Sequence, residues 1–356
     1  MLERVTSGAH DIAGRAASDV PAVLGRARGL VTPALRAAVD TLDDERMRTI
    51  CAYHLGWVDA DARPIEAGAG GSGKAIRSTL AVLSAEAGGG TAADGVATAV
   101  AVELVHNFSL LHDDIMDRDV ERRHRPTAWV VFGEGQAILA GNAMLTAAIE
   151  VLVRDGAAGR RSLSCLLDAI QLLISGQSAD LALESKPSVD LDEVLRMEAG
   201  KTAALLACAA SIGAIAADAP PAVVTGLAAY GHELGMAFQL VDDILGITGN
   251  AAATGKSSSS DVRAGKRSAP IVAALVSGTR ASAELRELLA AGPPSNDDDV
   301  THASKLIDEA GGLDWAAQEA DARLARAIGH LESLALPPSA AEDLAQLARY
   351  VVVRDR

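Results

Sequence analysis

Helical periodicity runs through almost the whole of this chain of 356 residues. Apolar side chains recur every three or four positions, and no alternating strand pattern extends for more than a few residues. Because aromatic residues make up only 3%, alanine and leucine, both strong helix formers, must fill most of the core. The pattern predicts an all-α fold, with helices at about residues 30–55, 73–88, 94–118, 134–154, 157–183, 191–217, 221–247, 269–277, 281–291, 298–310, 314–335 and 338–353.

The loops between these helices indicate one large domain. The first 25 residues are polar and rich in alanine and glycine, so we expect residues 1–25 to be flexible. Two polar loops, at residues 60–73 and 248–268, separate helices of the same character and therefore do not resemble domain linkers. We expect residues 26–356 to form a single domain.

Charge and hydropathy exclude several classes of function. The net charge is −15 and no stripe of arginine and lysine appears, which argues against a nucleic-acid partner. The most apolar stretch, residues 203–217, is interrupted by Ser211 and Gly213, so it predicts a buried helix and not a membrane anchor. The N-terminal segment has no continuous apolar core, and we expect no secretory signal there.

The cysteines bear on the compartment. Cys51, Cys165 and Cys208 lie far apart, and their number and spacing match neither a metal site nor a disulfide framework. Such a set suits a reducing environment, so we expect the protein to be cytoplasmic.

Two aspartate clusters end apolar, helix-periodic runs. The first is His112 to Asp117, with carboxylates at 113, 114 and 117, and the second is Gln239 to Asp243, with carboxylates at 242 and 243. Adjacent carboxylates repel each other and are costly to bury unless something neutralises them. Mg²⁺ is a suitable partner, because it holds substrate phosphates through one or two carboxylates. Two such clusters would grip one diphosphate, whereas either cluster alone would also suit a solvated helix end.

A glycine-rich loop precedes one of the helices. Residues 68–74 fit the first part of a nucleotide-binding P-loop, but Ala75 stands where that motif needs serine or threonine, and no strand precedes it. The better interpretation is a loop that delivers Lys74 and Arg77 to a helix N-terminus, which favours anions. This pattern indicates a second anionic substrate, and the alternative is a solvated basic turn.

Seven motifs occur in order along the chain: Gly73 to Arg77, Glu103 to His106, His112 to Asp117, Arg122-Arg123, Gly200 to Thr202, Phe238 to Asp243, and Gly255-Lys256 through Asp261 to Lys266. Together they resemble the trans-prenyltransferase (polyprenyl diphosphate synthase) family, in particular its actinobacterial geranylgeranyl diphosphate synthase-like members. The resemblance runs from about residue 30 to the C-terminus. It implies a single-domain, isoprenoid-synthase-type helical bundle around a deep central cavity, and a homodimer.

The resemblance also implies roles for individual residues. The ligands of Mg²⁺, with three ions per active site, would be Asp113, Asp117 and Asp243, and the supporting carboxylates would be Asp114 and Asp242. The residues that bind the allylic diphosphate (dimethylallyl, geranyl or farnesyl) would be Arg122, Lys201, Lys256 and Lys266. The residues that bind isopentenyl diphosphate would be Lys74, Arg77, His106 and Arg123. The residues that line the cleft where the carbocation forms would be Thr202 and Gln239.

The implied reaction is head-to-tail condensation of isopentenyl diphosphate with the allylic diphosphate. We expect geranylgeranyl diphosphate (C20) as the product, with farnesyl or C25 diphosphate as alternatives. A terpene cyclase on the same scaffold would discard the isopentenyl site, and a non-catalytic partner subunit would lose metal ligands. Both sets of residues are present, which favours the synthase.

Product length is assigned to two residues on the helix that ends at the first cluster. Ser109 lies one helical turn before Asp113, and its small side chain would not block a growing prenyl tail. Phe108 lies just beyond and would limit the depth. The alternative is that Phe108 simply packs in the core.

Four positions depart from the usual family pattern. Ser78 stands in place of a proline, and Asn142 replaces an acidic residue in a middle helix. Gly246 occupies the place of a third aspartate in the second cluster, and Ser257 to Ser260 replace a loop that contains proline and glycine. The change at Ser78 removes no predicted ligand. Gly246 cannot act as a ligand, which does not argue against activity, and we expect the loop at Ser257 to Ser260 to be more mobile.

Overall fold

The computed structural model describes residues 20–66, 75–184, 186, 188–249, 259–290, 292–294 and 296–353. These residues are helical apart from a two-stranded hairpin, one isolated bridge and the connecting turns, which confirms the all-α class. The chain divides into two compact units. The first holds the described residues within 1–170, 205–229 and 330–347, and the second holds those within 171–204, 230–329 and 348–356. The single domain and the deep central cavity stay predictions.

The elements follow in chain order. The first part of the chain forms α1 (Val20–Asp40), α2 (Glu45–His54), α3 (Ile76–Ala87), a 3₁₀ turn (Ala92–Gly95), α4 (Val96–Met116), β1 (Glu121–Arg122), β2 (Arg125–Pro126), α5 (Ala128–Phe132) and α6 (Glu134–Arg154). The rest forms α7 (Gly156–Glu184), α8 (Leu191–Glu198), a π-helical turn (Ala199–Ala203), α9 (Ala204–Ala216), α10 (Pro221–Thr248), α11 (Ser260–Ala264), α12 (Ala269–Val276), α13 (Arg280–Ala290), α14 (Asp297–Glu309), α15 (Gly312–Glu332) and α16 (Pro338–Val353).

Helix α4, which carries the first aspartate cluster, lies in the core of the first unit. It packs against α3 and α6, and its residues from Thr98 to Val105 are almost all buried. A helix that is apolar on all sides needs neighbours on all sides. The end of α4 is therefore held rigidly, and so are the aspartates that follow.

Helix α1 begins earlier than the predicted start near residue 30, so residues 20–25 of the segment expected to be flexible are helical. Val23, Ala27 and Val31 recur at helical spacing and are buried, which supplies the packing that stabilises this part of the helix. Pro21 is tolerated because the first turn of a helix leaves its N–H groups without intrahelical partners.

The predicted helix at 30–55 is two helices. Asp44 caps the second of them: its Oδ1 accepts hydrogen bonds from the N–H of Arg46 at 2.7 Å and of Met47 at 3.1 Å. An aspartate at this position satisfies N–H groups that the first turn leaves unpaired. The cap thus fixes where α2 begins and separates it from α1.

A short hairpin follows the first aspartate cluster, where no element was predicted. β1 pairs antiparallel with β2, with Arg122 opposite Arg125. The two turn residues, Arg123 and His124, have φ of 53° and 60°, the left-handed conformation that two-residue hairpin turns require. The chain therefore reverses direction at Arg123 and His124, directly after Arg122.

In the second unit, α7 approaches the π-helical turn through two glycines. A Cβ on Gly200 would lie 3.0 Å from the Cα of Gly176 and 2.9 Å from the carbonyl oxygen of Leu172. A Cβ on Gly176 would in turn clash with the backbone of Lys201. The two backbones are therefore in contact at the π-helical turn that carries the side chains of Lys201 and Thr202. π-Helical turns are rare and are often found at functional sites.

Among the residues that the structure describes, two helical stretches are long and apolar enough to cross a membrane by length and composition, Glu134–Arg154 and Leu191–Ala216. In Leu191–Ala216, 72% of the most apolar window is buried inside the protein, against 39% in Glu134–Arg154. The buried helix predicted near residues 203–217 is thereby confirmed. The lack of a membrane anchor stays a prediction.

A substitution at Gly213 of α9 would test how closely α9 packs against α3 in the first unit. An added Cβ would clash with the carbonyl oxygen of Ala81 and lie 2.6 Å from Ser84 Oγ on α3. We expect Gly213→Ala to lower the free energy of unfolding by about 1–3 kcal/mol, measured by urea denaturation, because the backbones must separate. Gly29→Ala is the matched control: it lies within α1 with nothing within 4 Å of the new Cβ, and should raise stability by about 0.5–1 kcal/mol. Equal stabilities of the two variants would contradict this packing.

Candidate active site

The first aspartate cluster lies at the C-terminal end of α4. Asp113 and Asp117 are four residues apart, so their side chains leave the helix on one face, and both are partly exposed. Asp114 between them is only 1% exposed. The accessible carboxylates are thus the two that the sequence predicts as metal ligands, and the buried one is the predicted support.

Arg122 of the hairpin neutralises Asp114. Its Nε donates to Asp114 Oδ1 at 2.6 Å, and its guanidinium also lies 3.8 Å from Asp119. A buried carboxylate is strongly destabilising unless it is paired, so this contact ties the hairpin to the end of α4. Arg122, predicted to bind the allylic diphosphate, is therefore held beside the first aspartate cluster.

A second group of basic residues surrounds His106. Arg77 Nη1 lies 3.4 Å from His106 Nε2. Burial lowers the pKa of His106 well below its ordinary value, and the charges of Arg77 and Arg123 are the next largest causes of this shift. The imidazole is therefore neutral at pH 7. Burial, and then the charge of Arg122, also lowers the pKa of Arg123. Cations that lose water and repel one another are stabilised by an anion, which fits the predicted isopentenyl diphosphate site.

His54 of α2 belongs to this basic region, and the sequence analysis missed it. It lines a small cavity together with Arg122, Arg123 and Arg125. Burial, and then the charges of Arg123 and Arg122, lowers the pKa of His54 to about 3. A neutral imidazole adds no further positive charge beside the arginines. No motif accompanies His54 in the sequence, so spacing gave no signal for it.

The two predicted chain-length residues are both buried in the first unit, each 7% exposed. Ser109 Oγ donates to the carbonyl oxygen of His106 at 2.8 Å. The Phe108 ring meets the ring of His112 edge-on, with the centroids 4.9 Å apart. These contacts fix both side chains, and the path of a prenyl tail past them stays a prediction.

In the second unit a chain of hydrogen bonds connects the π-helical turn to the second aspartate cluster. Lys201 forms a salt bridge with Asp180 of α7. The hydroxyl of Thr202 donates to Gln239 Oε1 at 2.6 Å, and Gln239 Nε2 donates to Asp243 Oδ1 at 2.6 Å. The three predicted residues Thr202, Gln239 and Asp243 thus form one connected group.

Asp243 is the buried member of the second pair, with 4% of its surface exposed, whereas Asp242 is partly exposed. Its Oδ2 accepts a hydrogen bond from the backbone N–H of Ala269 at 3.2 Å. Burial, and then the charge of Asp261, raises the pKa of Asp243 to about 6. The second pair therefore has the same order as Asp113 and Asp114: an accessible carboxylate first and a buried one after it.

Asp261 supplies a carboxylate where the family pattern has a third aspartate. A Cβ on Gly246 would lie 2.5 Å from Asp261 Oδ2. The glycine thus leaves room for the side chain of a residue fifteen positions later, at the start of α11. The departure at Gly246 does not remove negative charge from this part of the second unit.

Glu198 is a further carboxylate that motif reasoning missed. It lies at the last position of α8 and is 2% exposed. Burial, and then the charge of Asp243, raises the pKa of Glu198 well above its ordinary value. The sequence places it three residues before Lys201, at the end of a short amphipathic helix, with no spacing that distinguishes it from a surface glutamate.

Gln177 of α7 was also missed. It is 6% exposed, and neither its side-chain oxygen nor its nitrogen has a hydrogen-bond partner among the residues described. An unsatisfied buried amide costs about 1–3 kcal/mol, so a ligand or water is expected beside it.

Lys74 and Lys256, both predicted to bind diphosphate, and the P-loop-like run at 68–74 lie outside the described residues. Lys266 follows α11 and is partly exposed.

The donors present fit Mg²⁺. Within the part of the chain that the structure describes, no three histidine, cysteine, aspartate or glutamate side chains are grouped as a complete metal cage. Mg²⁺ does not need one, because it is commonly held by one or two carboxylates together with substrate phosphates and water. Asp113 with Asp117, and the carboxylates around Asp243, are sets of this kind.

Glu198 gives a pH test of the second unit. A carboxyl whose pKa is raised on folding stabilises the protein below its unfolded pKa, near 4.5, and that contribution is lost as the pH rises through the folded pKa. We therefore expect Glu198→Gln to raise the melting temperature at pH 8 and to change it little at pH 4.5, each pKa unit contributing about 1.4 kcal/mol. Glu287→Gln, on the exposed face of α13, is the control and should show no such trend. A difference that is constant with pH would contradict the assignment.

Comparisons with known proteins identify the family of this chain. The polyprenyl synthetase family model matches residues 62–307. The (2E,6E)-farnesyl diphosphate synthase of Mycobacterium tuberculosis H37Rv is 44% identical over 93% of this chain and 92% of its own. The geranylgeranyl diphosphate synthase of the same organism is 41% identical over 94% of each chain. A crystal structure of a polyprenyl synthetase from Streptomyces coelicolor A3(2), 48% identical, superimposes with a TM-score of 0.89 over 94% of this chain and 100% of that one. The chain therefore belongs to the polyprenyl synthetase family and is a prenyltransferase that elongates short prenyl chains.

Proposed function

We propose that the protein condenses isopentenyl diphosphate with an allylic diphosphate, head to tail, and releases geranylgeranyl diphosphate. The observation that supports this best is the presence of two chemically different anion sites in the first unit. One is the accessible pair Asp113 and Asp117 beside Arg122, which suits a metal-bound diphosphate. The other is the arginine group around neutral His106, which suits a diphosphate held by hydrogen bonds and charge. A chain-elongating synthase needs both, whereas a terpene cyclase needs only one.

The proposed mechanism uses positioning and electrostatics and no covalent nucleophile. Bound Mg²⁺ would act as a Lewis acid that stabilises the departing diphosphate. In the first unit, Arg122 would neutralise that group. The resemblance gives the same role to Lys201 of the second unit, which Asp180 orients. The oxygen dipoles of Thr202 and Gln239, already linked by a hydrogen bond, would face the allylic cation. The double bond of the isopentenyl unit attacks that cation, which forms the new carbon–carbon bond and a second cation. The second cation then loses a proton to the released diphosphate.

We further propose that Asp242, and not Asp243, is the metal ligand of the second pair. Asp243 is buried, and its two oxygens already accept hydrogen bonds from Gln239 and Ala269. Asp242 is partly exposed, like Asp113 and Asp117. This proposal exchanges the roles that the sequence analysis gave to Asp242 and Asp243, and it keeps Asp114 as the buried support of the first cluster.

The C20 product is proposed from the helix that carries the first cluster. Ser109 is small, buried and one turn before Asp113, so a tail that follows α4 would pass it. Phe108 is the next side chain and is fixed by its contact with His112. Farnesyl diphosphate is the second candidate, because the relative that is 44% identical is named for that product.

We also propose a cytoplasmic homodimer. In the first unit, large apolar side chains are exposed on α6 and α7, among them Leu139 (53%), Val153 (48%) and Leu167 (41%). Exposed apolar residues that cluster on helices are typical of protein–protein contact surfaces, and a second copy of the chain would cover them. The thiols of Cys51, Cys165 and Cys208 are free, which suits a reducing compartment.

The product experiment tests the function directly. Labelled isopentenyl diphosphate is incubated with each allylic primer and Mg²⁺, and the dephosphorylated products are separated by chromatography. We expect a C20 product, and we expect Ser109→Phe to shorten it toward C15, because an aromatic ring would fill the space one turn before the aspartates. Ser109→Ala, which keeps that space, should retain the wild-type distribution. A cyclised product without incorporated isopentenyl label would overturn the synthase proposal, and an unchanged length in Ser109→Phe would overturn the tail path alone.

The exchange of Asp242 and Asp243 is tested by metal binding and not by turnover. Wild-type protein with inorganic pyrophosphate should melt at a higher temperature as Mg²⁺ is added. We expect Asp242→Asn to require at least about tenfold more Mg²⁺ for the same rise, which corresponds to about 1.4 kcal/mol. Asp243→Asn should keep the Mg²⁺ response and melt higher without metal, because it removes a buried carboxylate whose pKa is raised. The opposite order of the two variants would restore Asp243 as the ligand.

A further inference from the structure

Two of the three cysteines, far apart in sequence, meet in the first unit. The Sγ atoms of Cys165 on α7 and Cys208 on α9 are 3.5 Å apart, and both thiols are free. A disulfide needs the sulfurs at about 2.05 Å and the Cβ atoms at about 3.5–4.5 Å. The two sulfurs are therefore already in contact, about 1.5 Å beyond the bonded separation.

The contact is set by the register of the two helices. Arg161 Nη2 donates to the carbonyl oxygen of Ala216 at 2.8 Å, and Ser162 Oγ donates to that of Ile212 at 3.4 Å. Residue numbers rise along α7 as they fall along α9, so the helices run antiparallel and the next contact in the series is Cys165 with Cys208. The hydrogen bonds from Arg161 and Ser162 hold α7 against α9. Cys165 and Cys208 lie on the same faces of these two helices, and their sulfurs therefore meet.

The two thiols differ in chemistry. Cys165 is partly exposed, whereas Cys208 is 4% exposed. The contact with Cys208, and then the contact with Ser211, lowers the pKa of Cys165, although burial and the charge of Asp168 oppose this shift. The contact with Cys165, and then burial, raises the pKa of Cys208 well above the ordinary value. A reactive thiol with a less acidic thiol beside it is the arrangement found in redox-sensitive pairs.

We propose that Cys165 and Cys208 form an oxidation site that hydroperoxides convert reversibly to a disulfide. The Cys165 thiolate attacks one peroxide oxygen and the O–O bond breaks, which leaves a sulfenic acid and, for hydrogen peroxide, one water after proton transfer. Cys208 then attacks the Cys165 sulfur, the S–O bond breaks, and a second water leaves. Two thiols are oxidised by two electrons in total and one peroxide is reduced. The disulfide ties α7 to α9, and a dithiol reverses it.

Cys51 of the same chain is a matched internal control. It is 0% exposed, burial raises its pKa to about 12, and its Sγ lies 3.7 Å from the carbonyl oxygen of Ala140. A buried thiol with a high pKa is inert to peroxide. The proposal therefore predicts selective oxidation within one protein under one set of conditions, independently of prenyl transfer.

The test is peptide mass spectrometry of the reduced full-length protein after treatment with hydrogen peroxide, with free thiols alkylated before and after denaturation. We expect a cross-linked peptide pair that contains Cys165 and Cys208, lighter by two hydrogens, which dithiothreitol separates. Cys51 should be alkylated in full, and only after denaturation. Oxidation of Cys165 to the sulfinic acid without a cross-link, or equal oxidation of Cys51 and Cys165, would overturn the proposal.

Two variants separate the roles of the thiols. In Cys208→Ala the sulfenic acid on Cys165 has no resolving partner and should be trapped by dimedone. In Cys165→Ala, Cys208 should stay unmodified. A dimedone adduct on Cys208 instead would overturn the assignment of the reactive thiol. The cross-link in wild-type protein decides the proposal even where a variant does not fold, and thermal melts monitored by circular dichroism identify such a variant.

Discussion

Burying a carboxylate is costly, and the way this chain offsets that cost determines the geometry of both aspartate clusters. Asp114 is neutralised by Arg122, a contact that also fixes the hairpin against the end of α4. Asp243 is held by hydrogen bonds from Gln239 and from the Ala269 N–H, and its pKa remains raised, at about 6. In each pair the second aspartate is locked in the interior, so the first is left at the surface of the unit. The buried carboxylates are held in place by these contacts, and the accessible ones are those proposed above to hold metal.

The cationic residues depend on packing in a similar way. In the second unit, Gly176 and Gly200 let two backbones touch, and the π-helical turn at that point directs Lys201 toward Asp180 and Thr202 toward Gln239. A side chain at either glycine would separate the helices and move both functional residues. The motif Gly200 to Thr202 is therefore a packing requirement as much as a chemical one.

Most of the helices could be predicted from periodicity, because long amphipathic or fully apolar runs carry a strong signal: the helices at 134–154 and 338–353 begin and end where they were expected. The break at Asp44 and the hairpin after Asp119 were missed, because single caps and two-residue strands are too short to produce a period. Motif spacing singled out Thr202, Gln239 and Asp243, and hydrogen bonds link the three side chains, while their roles stay predictions. It did not find His54 or Glu198, whose role follows only from what surrounds them in three dimensions.

Gly246 shows that the number of aspartates in a sequence motif can differ from the number of carboxylates close together in the structure. By sequence, the second cluster lacks a third aspartate. In the structure the missing side chain leaves a space, and the carboxylate of Asp261 fills it from the start of α11. The charge of Asp261 is one of the causes that raise the pKa of Asp243, so it acts on the cluster as a neighbouring aspartate would. Because electrostatic interaction depends on distance and not on chain position, Asp261 adds its negative charge beside the second cluster from another helix, although position 246 itself is a glycine.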